Sequence, residues 1–240
     1  MNLIIDIGNT SIKVAVYKNR ERLTLLRSDK LNHEELEKRL STFKIENAIV
    51  SSVKTTSDES IDILTARIPF VHFLSYKSRL PFIIEYDTPE TLGSDRIAAV
   101  AGAYLYFPGA DTLLIDAGTA ITYEFLSGKT YKGGNISPGL GIRFKALNKF
   151  TGRLPLSAQS DIYTFPGRNT TDAILAGVLT GVIYEINEYI RTFEKKYSPI
   201  KVILTGGDGE YLKGKINHQL NYIPDIVIDG LNYILEYNAK

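Results

Sequence analysis

The chain contains no cysteine at all, and among its 240 residues there are only three histidines. Without cysteine there are no disulfides, no thiolate nucleophile and no Cys-ligated zinc. The histidines, His33, His72 and His218, are scattered without metal-ligand spacing and read as structural or surface residues. No sign of charge dominates: 28 basic residues face 27 acidic ones, a net +1. No global field therefore draws the protein to nucleic acid or to an anionic membrane. Long hydrophobic runs are missing too. The longest, residues 97–107, has eleven residues, short of the ~20 that a bilayer crossing needs. Met1-Asn2-Leu3-Ile4-Ile5-Asp6 has no basic segment and reaches a carboxylate after three apolar residues, unlike a secretory signal. These absences leave a cytoplasmic globular protein as the expectation, and its 44% hydrophobic content suits an ordinary core.

What is present is a repeat. The apolar segment Leu3-Ile4-Ile5 ends in Asp6-Ile7-Gly8-Asn9-Thr10, and Leu113-Leu114-Ile115 ends in Asp116-Ala117-Gly118-Thr119, with the two aspartates 110 positions apart. A second strand pattern follows each turn: Ile12, Val14 and Val16 alternate with Ser11, Lys13, Ala15 and Tyr17, and residues 121–125 follow the other turn. Acidic Gly turns are common in hairpins. Matching flanks at half-chain spacing instead predict duplicated α/β lobes with a cleft between them, residues 1–110 and 111–240. Helices are expected over 33–43, 94–107 and about 172–197, and strands over 45–52, 70–75 and 201–205. Ser94 is placed to cap the second helix, whose Ala98, Ala99, Ala101, Gly102 and Ala103 permit close approach.

The turns offer what a nucleotide phosphate tail requires: glycine for close approach, backbone N–H donors, hydroxyls and a carboxylate for a divalent cation. In the first turn Asp6 suits Mg²⁺, directly or through water, and Lys13 lies on one strand face with Ser11. A solvent-facing role for Lys13 is equally open. In the second turn Asp116 suits a cation and Thr119 a phosphate oxygen. A third strand-to-Gly turn, Thr205-Gly206-Gly207-Asp208-Gly209, suits a planar adenine or ribose. Residues 209–216, Gly-Glu-Tyr-Leu-Lys-Gly-Lys-Ile, nearly match a phosphate loop but end in isoleucine, which cannot ligate magnesium; Lys215 reads as a surface charge. Asp95 and Arg96 fall in the first turn of the helix after Ser94. Aspartate is routine at a helix start. Arginine opposes the dipole there and points to an anionic partner such as a carboxylate, which a guanidinium grips bidentately. Residues 133–141 read as a glycine-rich loop before a short helix, and Asn169-Thr170-Thr171-Asp172 as the start of the long one.

Taken in this order, Asp6 to Thr10 with Lys13, Gly93-Ser94-Asp95-Arg96, Asp116 to Thr119 with Thr122, residues 133–141, Asn169-Thr170 and Thr205 to Asp208 resemble the type III pantothenate kinases over essentially the whole chain. The resemblance implies the acetate- and sugar-kinase/Hsp70/actin fold, a homodimer, and ATP-dependent phosphorylation of the pantothenate hydroxyl, the first step toward coenzyme A. It implies that Asp6, Ile7, Gly8, Asn9, Thr10, Ser11, Ile12 and Lys13 bind ATP, with Thr119 contacting the phosphates. It makes Asp95 the general base, lines the pantothenate pocket with Tyr86, Gly93, Ser94, Asp95, Arg96 and Thr170, and gives Asp116 a monovalent cation, K⁺, alongside Mg²⁺. The chain departs from the family pattern at Asp87-Thr88, where an asparagine usually precedes proline, and at Gly209, where alanine is common. The competing readings are a small sugar kinase of the same superfamily and a noncatalytic regulatory protein on this scaffold.

Overall fold

The computed structural model describes residues 1–30, 33–52 and 59–239. In chain order the elements are β1 (Asn2–Ile7), β2 (Ile12–Lys18), β3 (Glu21–Ser28), α1 (His33–Leu40), β4 (Asn47–Ser52), α2 (Glu59–Thr65), β5 (Phe70–Phe73), β6 (Ile83–Ile84), a 3₁₀ turn (Pro89–Thr91) and α3 (Ser94–Tyr106). There follow β7 (Thr112–Ala117), β8 (Ala120–Ser127), β9 (Thr130–Pro138), α4 (Leu140–Phe150), α5 (Thr170–Tyr197), β10 (Lys201–Thr205), α6 (Gly209–Leu212), β11 (Asn221–Tyr222) and α7 (Ile226–Asn238). They form two compact units. The first comprises Met1–Gly109, Lys129–Lys132 and Asp225–Lys240; the second comprises Ala110–Gly128 and Gly133–Pro224.

The first unit is built on a sheet of order β3-β2-β1-β4-β5. β1 runs antiparallel to β2 and parallel to β4, and β4 runs parallel to β5. All six residues of β1 are buried because both faces of the sheet are covered. Leu3, Ile5 and Ile7 pack with Val14, Val16, Ala48 and Val50 against Leu36 and Leu40 of α1 and Ile61 of α2. The alternate residues face the side where α7 packs on β1, β2 and β4, and α3 on β4. This explains why Ala15 and Tyr17, which the alternation in β2 sets opposite its apolar stripe, are buried as well. Strand alternation therefore carries Asp6 and its register partner Ser51 onto the α3/α7 side.

The second unit repeats this plan. Its strands lie in the order β9-β8-β7-β10-β11, β7 antiparallel to β8 and parallel to β10, and β10 parallel to β11. Asp116 is the penultimate residue of β7, beside Thr122 of β8 and Thr205 of β10, just as Asp6 is the penultimate residue of β1, beside Lys13 and Ser51. α5 is long and apolar enough to cross a membrane by composition. Here that apolarity serves the core: Leu179, Val182, Ile186 and Ile190 are fully buried in one cluster with Leu113, Ile115, Tyr123 and Leu204.

Several local expectations change. Residues 133–138 are the end of strand β9 rather than a loop, and positive φ at Gly133 (99°) marks the irregularity that its glycine density announces. Ser94 is the first helical residue of α3 and does not cap it. Gly93 stands at the cap, and the Ser94 hydroxyl turns to β4, donating to the Ser52 carbonyl at 3.2 Å and accepting from Ser51 at 3.1 Å. The C-terminal helix α7 falls in the second half of the sequence but packs in the first unit. Tyr17 and Tyr106 donate to Asp229 at 2.5 and 2.8 Å, and Arg22 and Arg27 pair with Asp225.

The small residues of α3 are used for this packing. A Cβ added at Gly230 of α7 would stand 2.0 Å from the Ala98 carbonyl oxygen and 2.6 Å from the Gly102 nitrogen. Both are backbone atoms, so the helices would have to separate. Gly230→Ala is expected to destabilise the protein by ~1–3 kcal/mol. Gly177→Ala, in the middle of α5 with no heavy atom within 4 Å, should gain up to ~1 kcal/mol. Urea denaturation of the two variants checks the opposite signs; a neutral Gly230→Ala would contradict the packing argument.

Candidate functional site

Asp6 is the last polar side chain of β1, one residue before its end at Ile7, and the chain then turns on Gly8, whose N–H donates to the Ser11 carbonyl at 3.0 Å. Asn9 and Thr10 stand exposed at the tip of the turn, Ser11 and Lys13 are half-buried, and Ile7 and Ile12 belong to the core. Only 8% of Asp6 is exposed. Burial pushes its carboxyl up to about 6 against the pull of the Lys13 charge and the Ser51 hydroxyl, with the Asp95 charge adding to the rise. A buried carboxylate with this partial compensation suits a hard cation. Among the described residues no three His, Asp or Glu side chains converge into a metal cage. Such a donor set fits Mg²⁺ of the kind held by one or two carboxylates, waters and substrate phosphates.

The N-terminus of α3 lies on the same side. Asp6, Ser51 and Ser94 are linked in sequence by hydroxyl contacts, and Asp95 is close enough for its charge to act on Asp6. Asp95 Oδ1 accepts the Arg96 N–H at 2.8 Å, the ordinary contact of a helix-start aspartate. It also explains Gly93, where a Cβ would meet that oxygen at 2.5 Å. Arg96 is buried. Its guanidinium donates to Tyr131 Oη at 2.9 Å and sits over the Tyr86 ring, 5.8 Å from the centroid, while the rings of Tyr86 and Tyr131 stack. Tyr131 and Ser51 were not legible as site residues. Tyr131 reaches Arg96 because the start of β9 pairs with β6, residues 130–131 against 83–84.

In the second unit three segments converge on Asp116. Gly206, with φ of 92°, lies so close that a Cβ would stand 2.4 Å from both Asp116 Oδ1 and the Ala117 carbonyl. Asp208 N–H donates to Ala117 O at 2.8 Å, and Gly139 N–H to Thr119 O at 3.1 Å. Thr119 itself is exposed. Thr170, also exposed, opens α5 behind Asn169, whose side chain accepts the Asp172 N–H at 2.9 Å. In residues 209–216, Lys215 pairs with Asp161 at 2.7 Å, the surface charge expected of it.

Two sheets that share one five-strand order, the second extended by β6 beside β9, each with an aspartate near the end of its first strand before a glycine turn, define the duplicated α/β fold of the acetate and sugar kinases, Hsp70 and actin. Solved structures agree. A conserved Baf family protein from Campylobacter jejuni superposes with a TM-score of 0.60 at 25% identity, covering 99% of this chain and 98% of that one. The Lmo2764 protein of Listeria monocytogenes, a candidate N-acetylmannosamine kinase, does so with a TM-score of 0.57 at 13% identity, covering 100% and 99%; that likeness carries the fold alone. Within this fold the sequence is specific. The model of the type III pantothenate kinase family matches residues 2–192. Type III pantothenate kinases from Bacteroides fragilis (strain YCH46) and Cytophaga hutchinsonii are 43% and 38% identical to it, the first over 99% of this chain and 98% of its own length, the second over 100% of both. The chain belongs to the type III pantothenate kinase family.

The Asp6 carboxyl, raised from 3.8 to about 6, binds a proton more readily folded than unfolded. Stability therefore falls as pH rises from about 4 through 6 and stays reduced above, by roughly 3 kcal/mol. Asp6→Asn should be more stable than the wild type by up to this amount at pH 8 and nearly level with it at pH 4. Denaturation in metal-free buffer at the two pH values measures the difference; a gap independent of pH would overturn it.

Proposed function

We propose that this chain phosphorylates pantothenate to 4′-phosphopantothenate at the expense of ATP, the first step of coenzyme A biosynthesis, in the cytoplasm. The observation that supports the reading is that Asp6, tied to Ser51, lies within reach of the Asp95 charge in the first unit, in a chain matching the family over residues 2–192.

The roles follow from the chemistry of phosphoryl transfer, which is mostly positioning and charge stabilisation. The turn from Asp6 to Lys13 binds the ATP phosphates, and Thr119 donates to a phosphate oxygen. Mg²⁺, held by Asp6 directly or through water, supplies neutralisation of phosphate charge. Asp95 takes the proton of the pantothenate hydroxyl. Arg96, oriented by Tyr131 and Tyr86, offers guanidinium donors to the pantothenate carboxylate, and Tyr86, Gly93, Ser94 and Thr170 line the pocket. Asp116 holds K⁺. The homodimer rests on family membership; the small-residue face of α3 does not argue for it, since α7 occupies that face. Light scattering decides the point, and a monomer at micromolar concentration would refute it.

With ATP, Mg²⁺ and K⁺ present, ADP release should depend on pantothenate; a rate indifferent to pantothenate would remove the assignment and favour the sugar-kinase or regulatory reading. Replacing K⁺ by tetramethylammonium should suppress turnover, and equal rates would sink the cation role of Asp116. Asp95→Asn should lower kcat by ~10²–10⁴ while the melting temperature and ATP binding are kept. A helix-start residue alone would instead lose about 1 kcal/mol of stability and keep its turnover.

A further inference from the structure

The second unit carries a charged network that none of these roles uses. Glu185 of α5 accepts from Tyr123 Oη at 2.8 Å and Ser137 Oγ at 2.5 Å on Oε1, and from Arg143 Nη2 at 2.5 Å on Oε2. Burial works to raise its carboxyl, but the bonds from Ser137, Arg143 and Tyr123 outweigh it and hold the group below the usual range. Arg143, in the first turn of α4, also donates through Nε to the Pro138 carbonyl at 2.7 Å. One ion pair, its side chains only 21% and 23% exposed, thus grips both a side chain and the main chain of the strand end 137–138. Tyr123 is braced in turn by Tyr189, whose ring lies 3.7 Å away.

Gly139 passes this anchoring on. Its N–H donates to Thr119 O at 3.1 Å, and a Cβ there would stand 2.1 Å from Gly118 O and 2.6 Å from Thr119 O. Main chain rests directly on main chain. A displacement of the strand end cannot be absorbed by a side-chain rotation between the two segments and must move the 118–119 turn itself.

We propose that Glu185 and Arg143 are positioning residues for nucleotide binding: their ion pair, braced on Tyr123, sets the strand end 137–139 and through Gly139 the placement of Thr119. The inference rests on the reading of Thr119 as a phosphate contact. Their action on the nucleotide would run through the main chain of Gly139 and Thr119. A pair that only tied α4 to α5 would change the melting temperature and leave nucleotide affinity alone.

Glu185→Gln keeps the shape and still accepts from Tyr123 and Ser137 but removes the charge that holds Arg143. Calorimetric titration with a non-hydrolysable ATP analogue and Mg²⁺ should show Kd raised on the order of tenfold, a typical coupling through a packed network. KM for ATP should rise in step, and KM for pantothenate should stay at the wild-type value. Arg143→Lys should recover part of the affinity that Arg143→Met loses. An unchanged analogue Kd in folded Glu185→Gln overturns the proposal; if that variant does not fold, equal Kd values for wild type, Arg143→Met and Arg143→Lys overturn it. Because the titration contains no pantothenate, this failure is distinct from that of the functional reading, which shows as a wild type that binds the analogue but ignores pantothenate.

Discussion

The first unit depends on placing a carboxylate at the end of a strand that is covered on both faces. β1 is buried along its whole length, so Asp6 leaves water with the rest of the strand, and ionising it there is unfavourable. Ser51 and Lys13 offset part of that cost, and the nearby Asp95 charge adds to it. A cation at this position would relieve what the protein leaves uncompensated. The burial that raises the Asp6 carboxyl to about 6 therefore also destabilises the folded chain above that pH.

The second unit meets the same geometric problem with different side chains. Asp116 occupies the register position of Asp6, but threonines, Thr122 and Thr205, stand beside it in place of lysine and serine. Gly206 and Gly139 bring backbone against its turn. Duplication has thus preserved a backbone plan, a strand ending in an acidic glycine turn between an antiparallel and a parallel neighbour, while the chemistry around each turn has diverged.

Helix α7 connects the distant C-terminus to this chemistry. It closes the open face of the first sheet and meets α3 at Ala98, Gly102 and Gly230, where backbone approaches backbone. The ion pairs of Asp225 and the two tyrosine hydroxyls on Asp229 fix its position. Since α3 begins with Ser94, Asp95 and Arg96, the helix carrying these residues is seated by backbone contacts at Ala98 and Gly102 that begin within its first turns.

The parts of this protein that a reader of the sequence can see are those written locally. Alternating apolar residues, Gly turns and their carboxylates at Asp6 and Asp116, and the Gly93 to Arg96 helix start all reveal themselves within a few residues, because strand and helix periods and turn dihedrals are local properties. Repetition at half-chain spacing then made the duplicated fold legible, and α1, α3, α5 and β10 lie close to where patterning put them. Tertiary structure decided the rest. Tyr131 lies 35 positions from the arginine it orients, Ser51 is joined to Ser94 across 43, and residues 133–138 become strand rather than loop. Glu185, in the long helix α5, gathers partners 42 to 62 positions away. α7 leaves its half of the sequence because the first sheet has an apolar face to bury and Gly230 lets it come close. Burial and the pairing of distant strands choose these partners, and they act on separations in space that no local period records.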